Sequence, residues 1–598
     1  MSKYENMRAA DIVAEALVDW NVDTIFGLPG DGINGFIEAL RTRQDKIKFV
    51  LVRHEESAAF MASAYAKYTG KLGVCVATSG PGAIHLLNGL YDAKLDGAPV
   101  VAITGRTYSD LMGSGYQQDV DQLQLFSDVS VYNNMINEPE QAEMVVDIAC
   151  RTALSQRGVS HFTIPIDVQE KVLKGKYSKH KVPGHTSDMQ INFEIMPSDK
   201  KTLEDAAEIL NSGRKVVILV GQGALNAGND VVTVAERLNA PIVKALLGKA
   251  VIEDDNPYNI GILGILGTEP ASDAMNEADT LLMIGTSFPY IEYLPKPGQA
   301  RGIQIDIKAE RIGLRYPIEV GLLGDSKVIL SALIPLLDNK KQDDDSFLRE
   351  KQQAMQQWVK KLQQFRNINN NSNSSNKAIK PQVIAAAVSE ELEDNAIISV
   401  DSGTSTFWAA RHINVRTGMK FSVSGTLASM ACGLPYAIAA QLTYPDRQCV
   451  AFVGDGGFMM LMAEFATAVQ YKLPIKVIIL KNNTLGMIRW EQMGFLGNPE
   501  YGVEFTPIDF AGFAENCGGK GYTIKKPDDV KSVMQSAMSK DKERKPVIIE
   551  AYVDPFEPMV PPKAKPEFIQ KISESFTKGQ PYSQRIGLTL YRNKFEAV

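Results

Sequence analysis

Short apolar runs rich in β-branched residues alternate along this chain with amphipathic stretches of helical period. Segments 47–52, 100–104, 216–220, 280–284, 397–400, 450–453 and 475–480 read as buried parallel strands. Between them, 7–20 and 203–211 repeat their apolar positions at helical spacing. The alternation predicts an α/β protein with open parallel sheets covered by helices on both faces. Two seams interrupt it. Segment 177–198 is polar with scattered Pro and Gly. Segment 338–380 holds a charged, helix-like piece and then the low-complexity tract 367–376, which has too few apolar residues to fold. Cutting there predicts three consecutive open parallel-sheet α/β domains at 1–185, 195–338 and 381–554, with a linker at 339–380 and a tail at 555–598.

Composition narrows the class. The 598 residues suit about three or four domains of ordinary size. With 44% hydrophobic and 22% charged residues, the bulk of the chain is expected to fold. Lys plus Arg number 63 against 70 Asp plus Glu, a net charge of -7 and the reverse of a nucleic-acid binder. No apolar run reaches the ~18–20 residues of a membrane span, and the N-terminus lacks a basic start followed by an apolar core. Five scattered cysteines without CxxC spacing suggest buried thiols in a reducing compartment. The expectation is a cytoplasmic, multidomain protein.

The sharpest chemical signal lies in the third block. A strand at 449–453 runs into Gly454-Asp455-Gly456-Gly457, a helix pattern follows from near Met459 to Tyr471, and a second strand ends in Asn482-Asn483-Thr484-Leu485-Gly486. Two parallel strands joined by one helix form a right-handed crossover, so Asp455 and Asn482 share one sheet edge. A tight turn accounts for a lone GDG, but not for its pairing with Asn-Asn across a crossover. An Asp carboxylate, an Asn amide oxygen and a backbone carbonyl are hard ligands of the kind Mg²⁺ takes while keeping room for phosphate and water. Block one has Arg53-His54-Glu55-Glu56 after a strand, where acids ordinarily cap helices. It also has Thr78-Ser79-Gly80-Pro81-Gly82 and Ile25-Phe26-Gly27-Leu28-Pro29-Gly30-Asp31-Gly32.

In this order these motifs resemble the thiamine diphosphate enzymes of the pyruvate oxidase and acetolactate synthase superfamily, from about Met7 to Val553. The resemblance implies a pyrimidine-binding first domain, a central domain that is flavin-binding in some members, and a diphosphate-binding third domain. It implies Mg²⁺ held by Asp455, Asn482 and the backbone oxygen of Thr484. Gly454, Gly456, Gly457, Pro29, Gly30, Thr78 and Gly82 would lie against the cofactor. Met430 would bend it, and Glu55 would hydrogen-bond its aminopyrimidine ring. A buried carboxyl sharing a proton with that ring is what removal of a weakly acidic C–H requires. Glu56 is the neighbouring alternative, more suited to a structural role. The family builds one site from two subunits, which implies at least a homodimer, with a homotetramer expected.

Block two contains Gly221-Gln222-Gly223-Ala224 after a strand, a weak signal alone. With Gly285-Thr286-Ser287-Phe288-Pro289-Tyr290, Gln304-Ile305-Asp306-Ile307 and Gly324-Asp325 it resembles the flavin domain of bacterial pyruvate oxidases and pyruvate:quinone dehydrogenases. FAD contacts are then expected at Gly221, Gly223, Gly285, Thr286, Phe288, Asp306 and Asp325, with a flavin-free relic domain as the alternative. The synthases' Arg-rich stretch corresponds here to residues 287–291, which contain no Arg. Ile488 and Glu491 match the oxidases' apolar wall and nearby acid, although Arg489 and Trp490 are reminiscent of the synthases. In Tyr116-Gln117-Gln118-Asp119, Gln117 replaces a usual Phe and Asp119 a usual Glu, and Gln118 remains as a polar contact. The implied activity is oxidative decarboxylation of pyruvate or a similar 2-oxo acid to acetate or acetyl phosphate, with O₂ or a quinone as acceptor. The alternatives are a carboligase of the acetolactate synthase type and a non-catalytic family member. In the tail, Phe568, Ile569, Ile572 and Phe576 share one helical face, with Lys563, Lys565, Lys571 and Lys578 around it. That face suits a membrane surface or a neighbouring subunit.

Overall fold

A computed structural model of the chain describes residues 4–174, 199–340, 344–366, 378–540, 543–563 and 566–597, with side chains up to 591. The seam at 177–198, the tract at 367–376 and Lys565 lie outside the described residues. The helix-like piece of the linker is a helix at Ser346–Arg366.

Three six-stranded parallel sheets account for the alternating pattern. The first is built from β1 (Thr24–Gly27), β2 (Lys48–Leu51), β3 (Gly73–Ala77), β4 (Val100–Arg106), β5 (Tyr132–Met135) and β6 (Val159–Pro165). The second takes β7 (Val216–Val220), β8 (Ile242–Lys244), β9 (Asn259–Ile262), β10 (Thr280–Ile284), β11 (Arg301–Asp306) and β12 (Val320–Leu323). The third takes β13 (Ile397–Val400), β14 (Lys420–Ser422), β15 (Cys449–Gly454), β16 (Lys476–Lys481), β17 (Lys520–Ile524) and β18 (Val547–Tyr552). Helices on both faces explain why β3, β4, β6, β7, β10 and β16 are buried at every residue and are mostly apolar, although β6 also buries Ser160, His161 and Thr163. In β7 the alternation is explicit. Val216, Ile218 and Val220 enter one core cluster, while Val217 and Leu219 enter the other.

Strand order separates the sheets into two kinds. The first runs β2-β1-β3-β4-β6-β5 and the third β14-β13-β15-β16-β18-β17, which is the same order counted within each sheet. The middle sheet, β12-β11-β10-β7-β8-β9, has the order of the dinucleotide-binding fold. By compactness the chain forms two units. One comprises Met1–Phe193, Ser424–Cys449 and Met459–Ile475; the other comprises Glu194–Val423, Val450–Phe458 and Lys476–Val598.

Within the first unit, the helix Glu55–Thr69 is buried on nearly every side. Ala58, Ala59, Ala62, Ala64 and Ala66 keep it slim enough to pack against the helices Leu87–Asp96 and Gly433–Thr443. Gly70, at φ 74°, ends it in a left-handed cap. The tail forms helices at Pro566–Thr577 and Ser583–Ala597. Its apolar face is largely spent within the chain. Ile572 is buried, Phe568 sits edge-on to Phe495 at 5.7 Å and covers Gly494, and Phe576 packs on the same core, whereas Ile569 stays 61% exposed. Lys578 donates to the carbonyl of Gly497, and Lys563 and Lys571 pair with Asp273 and Glu574.

Candidate active site

In an open parallel sheet, ligands settle beyond the strands' carboxyl ends where the chain's direction of winding reverses. In the first sheet that point lies between β1 and β3, with β2 beside them. Three loops meet there. Thr78 Oγ1 accepts the Gly32 N–H at 3.0 Å, and a Cβ on Gly30 would stand 2.6 Å from Thr78 Cβ. A Cβ on Gly82 would stand 2.8 Å from Thr78 Cγ2 and 3.2 Å from Glu55 Oε1. Ser79 donates to Gln118 Oε1 at 2.6 Å, and Gln118 holds a left-handed φ of 61°, rare for a residue with a side chain. Glu55, Gly30, Thr78, Gly82 and Gln118 are thus brought together, with Pro29 exposed on the same loop as Gly30. Asp119 turns to its own loop, accepting the Gly113 N–H at 2.7 Å, and Gln117 is exposed.

Glu55 is the first residue of its helix and only 6% exposed. Its Oε2 lies 2.9 Å from Nδ1 of His85. Sequence reasoning passed over His85, a single histidine in the short helix after Thr78–Gly82; its place three residues beyond Gly82 was the available signal. Glu464 was missed too. Its carboxylate accepts the N–H groups of Arg53 at 2.7 Å and His54 at 3.0 Å, fixing the turn that presents Glu55, and burial raises its pKa. Glu56 has the structural role: Asn88 donates to both Glu56 Oε1 and Ser429 Oγ.

That last bond reaches the loop carrying Met430. Asp96 accepts the N–H groups of Gly425 and Thr426 at 2.9 and 2.8 Å, and Lys67 pairs with Asp96 at 2.7 Å and with Asp92 at 3.1 Å. Burial opposes ionisation of Asp96, but Lys67 and the loop N–H groups win and hold its pKa below the usual value. Ala428 and Ala431 flank Met430 at φ 56° and 75°, a conformation that costs alanine energy and needs such anchoring.

In the third sheet the corresponding reversal lies between β13 and β15. The helix expected from near Met459 begins instead at Asp455 and runs to Met460, and a second helix at Glu464–Gln470 completes the crossover. Asp455 sits at the mouth of β15, paired in register with β16, and is 3% exposed. Its Oδ1 accepts the Gly456 N–H at 2.9 Å, and its Oδ2 accepts the Asn483 N–H at 2.6 Å. Asn482 Oδ1 accepts the Thr484 N–H at 3.0 Å, and Asn483 takes a left-handed φ of 54° to make this tight turn. Burial pushes the Asp455 carboxyl up to about 6 although three backbone N–H groups pull it down. A cation beside it would restore the charge. The buried Thr484 Oγ1 has no hydrogen-bond partner among the described residues. Hard oxygens on a carboxylate short of positive charge fit a divalent ion. Gly403, at φ 110° with open space where a Cβ would go, belongs to the same edge, and Thr404 touches the Gly486 position. Neither carried a recognisable sequence motif.

From Gly486 the chain continues as the helix Gly486–Gly494. Ile488 is 41% exposed, and Glu491, one turn on, lies on the same face. Arg489 and Trp490 point the other way. Arg489 is 2% exposed and paired with Glu500 at 2.5 Å; Trp490 is part of the core.

In the middle sheet the reversal lies between β7 and β10. Gly223 donates to the Gly285 carbonyl at 3.0 Å, and a Cβ on Gly221 would stand 2.5 Å from that oxygen and from Thr286 Cβ. Asp306 ends β11, buried, with a raised pKa caused by desolvation, and its Oδ1 accepts the Lys308 N–H at 2.9 Å. This bare glycine edge with a buried carboxylate two strands over fits a dinucleotide. Two of the expected contacts also serve the fold. Phe288 packs into the core against Gly264, and Asp325 caps the helix Ser326–Leu333 by accepting the N–H groups of Lys327 and Val328.

Comparison with known proteins gives this arrangement a family. Residues 7–125, 203–333 and 401–551 match the N-terminal TPP-binding, central and C-terminal TPP-binding domains of thiamine pyrophosphate enzymes. YdaP of Bacillus subtilis, named as a thiamine pyrophosphate-containing protein, is 41% identical over 555 residues, 93% of each chain. The chain is a thiamine pyrophosphate enzyme. This enzyme is also 29% identical to pyruvate oxidase of Lactiplantibacillus plantarum (92% of this chain, 89% of that one). It is 30% identical to the acetolactate synthase large subunit of Haemophilus influenzae (93% and 96%). The family's three domains are the three six-stranded sheets. Among the described residues no helix is long and apolar enough to cross a membrane.

Proposed function

We propose that this thiamine pyrophosphate enzyme oxidatively decarboxylates pyruvate or a similar 2-oxo acid, passing two electrons to FAD and releasing acetate or acetyl phosphate, with O₂ or a quinone as final acceptor. The observation that carries the choice over carboligation is the division of the helix Gly486–Gly494. Its open face offers apolar Ile488 and acidic Glu491, while Arg489 is buried and neutralised by Glu500. A carboligase has to hold a second keto-acid carboxylate, and no basic side chain on that face is available to do so.

Bound thiamine diphosphate supplies the electron sink for decarboxylation, and FAD the two-electron acceptor. The chain's own residues do the rest. Asp455, Asn482 and the Thr484 carbonyl hold Mg²⁺, and with it the diphosphate, beside Gly454, Gly456 and Gly457. Glu55 exchanges a proton with the aminopyrimidine, its burial keeping water away from the carboxyl. Pro29, Gly30, Thr78 and Gly82 leave room for that ring, and Met430 presses on the cofactor. Gln118 reaches the substrate, Ile488 walls its methyl group, and Glu491 stands by the reacting carbons. Gly221, Gly223, Gly285, Thr286 and Asp306 bind FAD. At least a homodimer is part of the reading, since the family's site takes residues from two subunits; the protein is read as cytoplasmic. Product analysis tests it. With pyruvate and an electron acceptor, acetate or acetyl phosphate is expected in proportion to acceptor reduced. Acetolactate as the main product, with the acceptor untouched, overturns it.

A further inference from the structure

His85 stands where a buried acid needs a way out. Glu55 is 6% exposed, so solvent reaches its carboxyl poorly, and a proton there exchanges more readily through a neighbouring acid–base group. The His85 side chain is 42% exposed, and its Nδ1 lies 2.9 Å from Glu55 Oε2. One end of the imidazole therefore touches the carboxyl, while the rest of the ring is open in the single chain.

The neighbouring ring keeps it there. His54 caps the helix Glu55–Thr69, its Nδ1 accepting the Glu56 N–H at 3.2 Å, and its ring stacks on that of His85 with centroids 4.4 Å apart and planes 28° from parallel. Accepting that bond uses the lone pair on Nδ1 and leaves Nε2 as the ring's N–H donor. One nitrogen of each histidine and a Glu55 oxygen lie within 4.8 Å of one another, the compactness of a metal-ligand set. With the lone pair of His54 spent on the cap, that set is one ligand short, and a proton path is the chemistry left to it. Among the described residues, Glu55 and His54 are ionisable groups in direct contact with His85.

We infer that His85 is a positioning and proton-relay residue that couples the Glu55 carboxyl to solvent. Outward, the carboxyl proton passes from Oε2 to the lone pair on His85 Nδ1 and the proton on Nε2 leaves to water. Inward, water returns a proton to Nε2 and Nδ1–H gives its proton to the carboxylate. One outward and one inward transfer restore both groups, and no other reactant is consumed. The inference rests on the role proposed for Glu55, so its test separates the two.

The first measurement uses the cofactor-free protein. With only six histidines in the chain, the ring resonances of His85 are assignable with a His85→Gln variant. The Glu55 carboxylate lies against His85 Nδ1, so Glu55→Gln is expected to move the His85 ring resonances by more than it moves those of His161. His85 resonances that stay in place overturn the coupling. The second reads exchange of the thiamine C2 hydrogen with deuterium in the holoenzyme, independent of turnover. His85→Phe, which keeps an aromatic ring against His54, is expected to slow exchange about 100-fold, the usual worth of a placed acid–base group. Added imidazole should restore part of the rate in His85→Gly. Exchange that falls in Glu55→Gln but stays at the wild-type rate in His85→Phe removes the relay and leaves the role of Glu55 standing. Exchange unaffected in both removes the two together.

Discussion

The carboxylate of Asp455 and the backbone N–H of Asn483 meet at 2.6 Å, across two adjacent parallel strands. The bond ties the loop after β15 to the loop after β16, the two loops that carry Asp455, Asn482 and Thr484. Asp455→Asn keeps the shape and an acceptor for that N–H but removes the charge. Thiamine diphosphate affinity in Mg²⁺, measured by calorimetry, is expected to fall by more than the about 10–100-fold that a merely supporting group costs. The melting temperature of the cofactor-free protein should hold or rise, because a buried charge is no longer paid for. Unchanged affinity contradicts the ion site.

Arg489 and Glu500 form a pair with both side chains almost fully buried. Arg489→Met leaves Glu500 without its cation and is expected to cost about 3–5 kcal/mol of stability. Replacing both by apolar residues should recover much of it. Chemical denaturation of the single and double variants checks this. A large rise in KM for the keto acid with stability intact would instead place Arg489 at the substrate.

At the middle sheet, Gly285 has φ 57° and its absent Cβ would lie 2.5 Å from Gly223 Cα. Gly285→Ala is expected to destabilise the protein by about 1–3 kcal/mol and to strip flavin from the purified enzyme. Asp306→Asn should weaken flavin binding while leaving the melting temperature of the flavin-free protein unchanged or higher. Flavin retained in both variants locates the dinucleotide elsewhere.

The strands were readable because a parallel strand covered on both faces is largely apolar; 216–220, 280–284 and 397–400 are found at those residues. The juxtaposition of Asp455 with Asn482–Asn483 was readable from one crossover. Strand order was not, because it is set by which side each connecting helix takes, and no residue within a strand encodes that. The shared order of the first and third sheets, and with it the place of Gly403, emerged only from the structure. The roles of Phe288 and Asp325 were hidden by their partners, a glycine without side chain and a helix N-terminus. His85 needed the third dimension: nothing in its neighbours along the chain reveals that Glu55 lies against it.

His161 predicts acid sensitivity. Buried on β6 between Thr104 and Asn133, and stacked on Phe126 at 3.8 Å, it is held down to about 3 by desolvation, with Arg106 adding to the effect. Its folded pKa is below the unfolded value of 6.5, so the stability it contributes is present above pH 6.5 and is lost as pH falls toward 3. Urea midpoints across that window should decline in the wild type and decline less in His161→Gln. Equal slopes would show that His161 has no part in the loss.

Flavin colour followed without oxygen or any added acceptor is the most direct test of the proposed reaction. With thiamine diphosphate and Mg²⁺ bound, anaerobic pyruvate is expected to bleach the flavin in a single turnover and to release CO₂ one for one. Omitting thiamine diphosphate, or introducing Glu55→Gln, should abolish the bleaching. A flavin that keeps its colour while pyruvate is steadily converted to acetolactate would contradict oxidative decarboxylation outright.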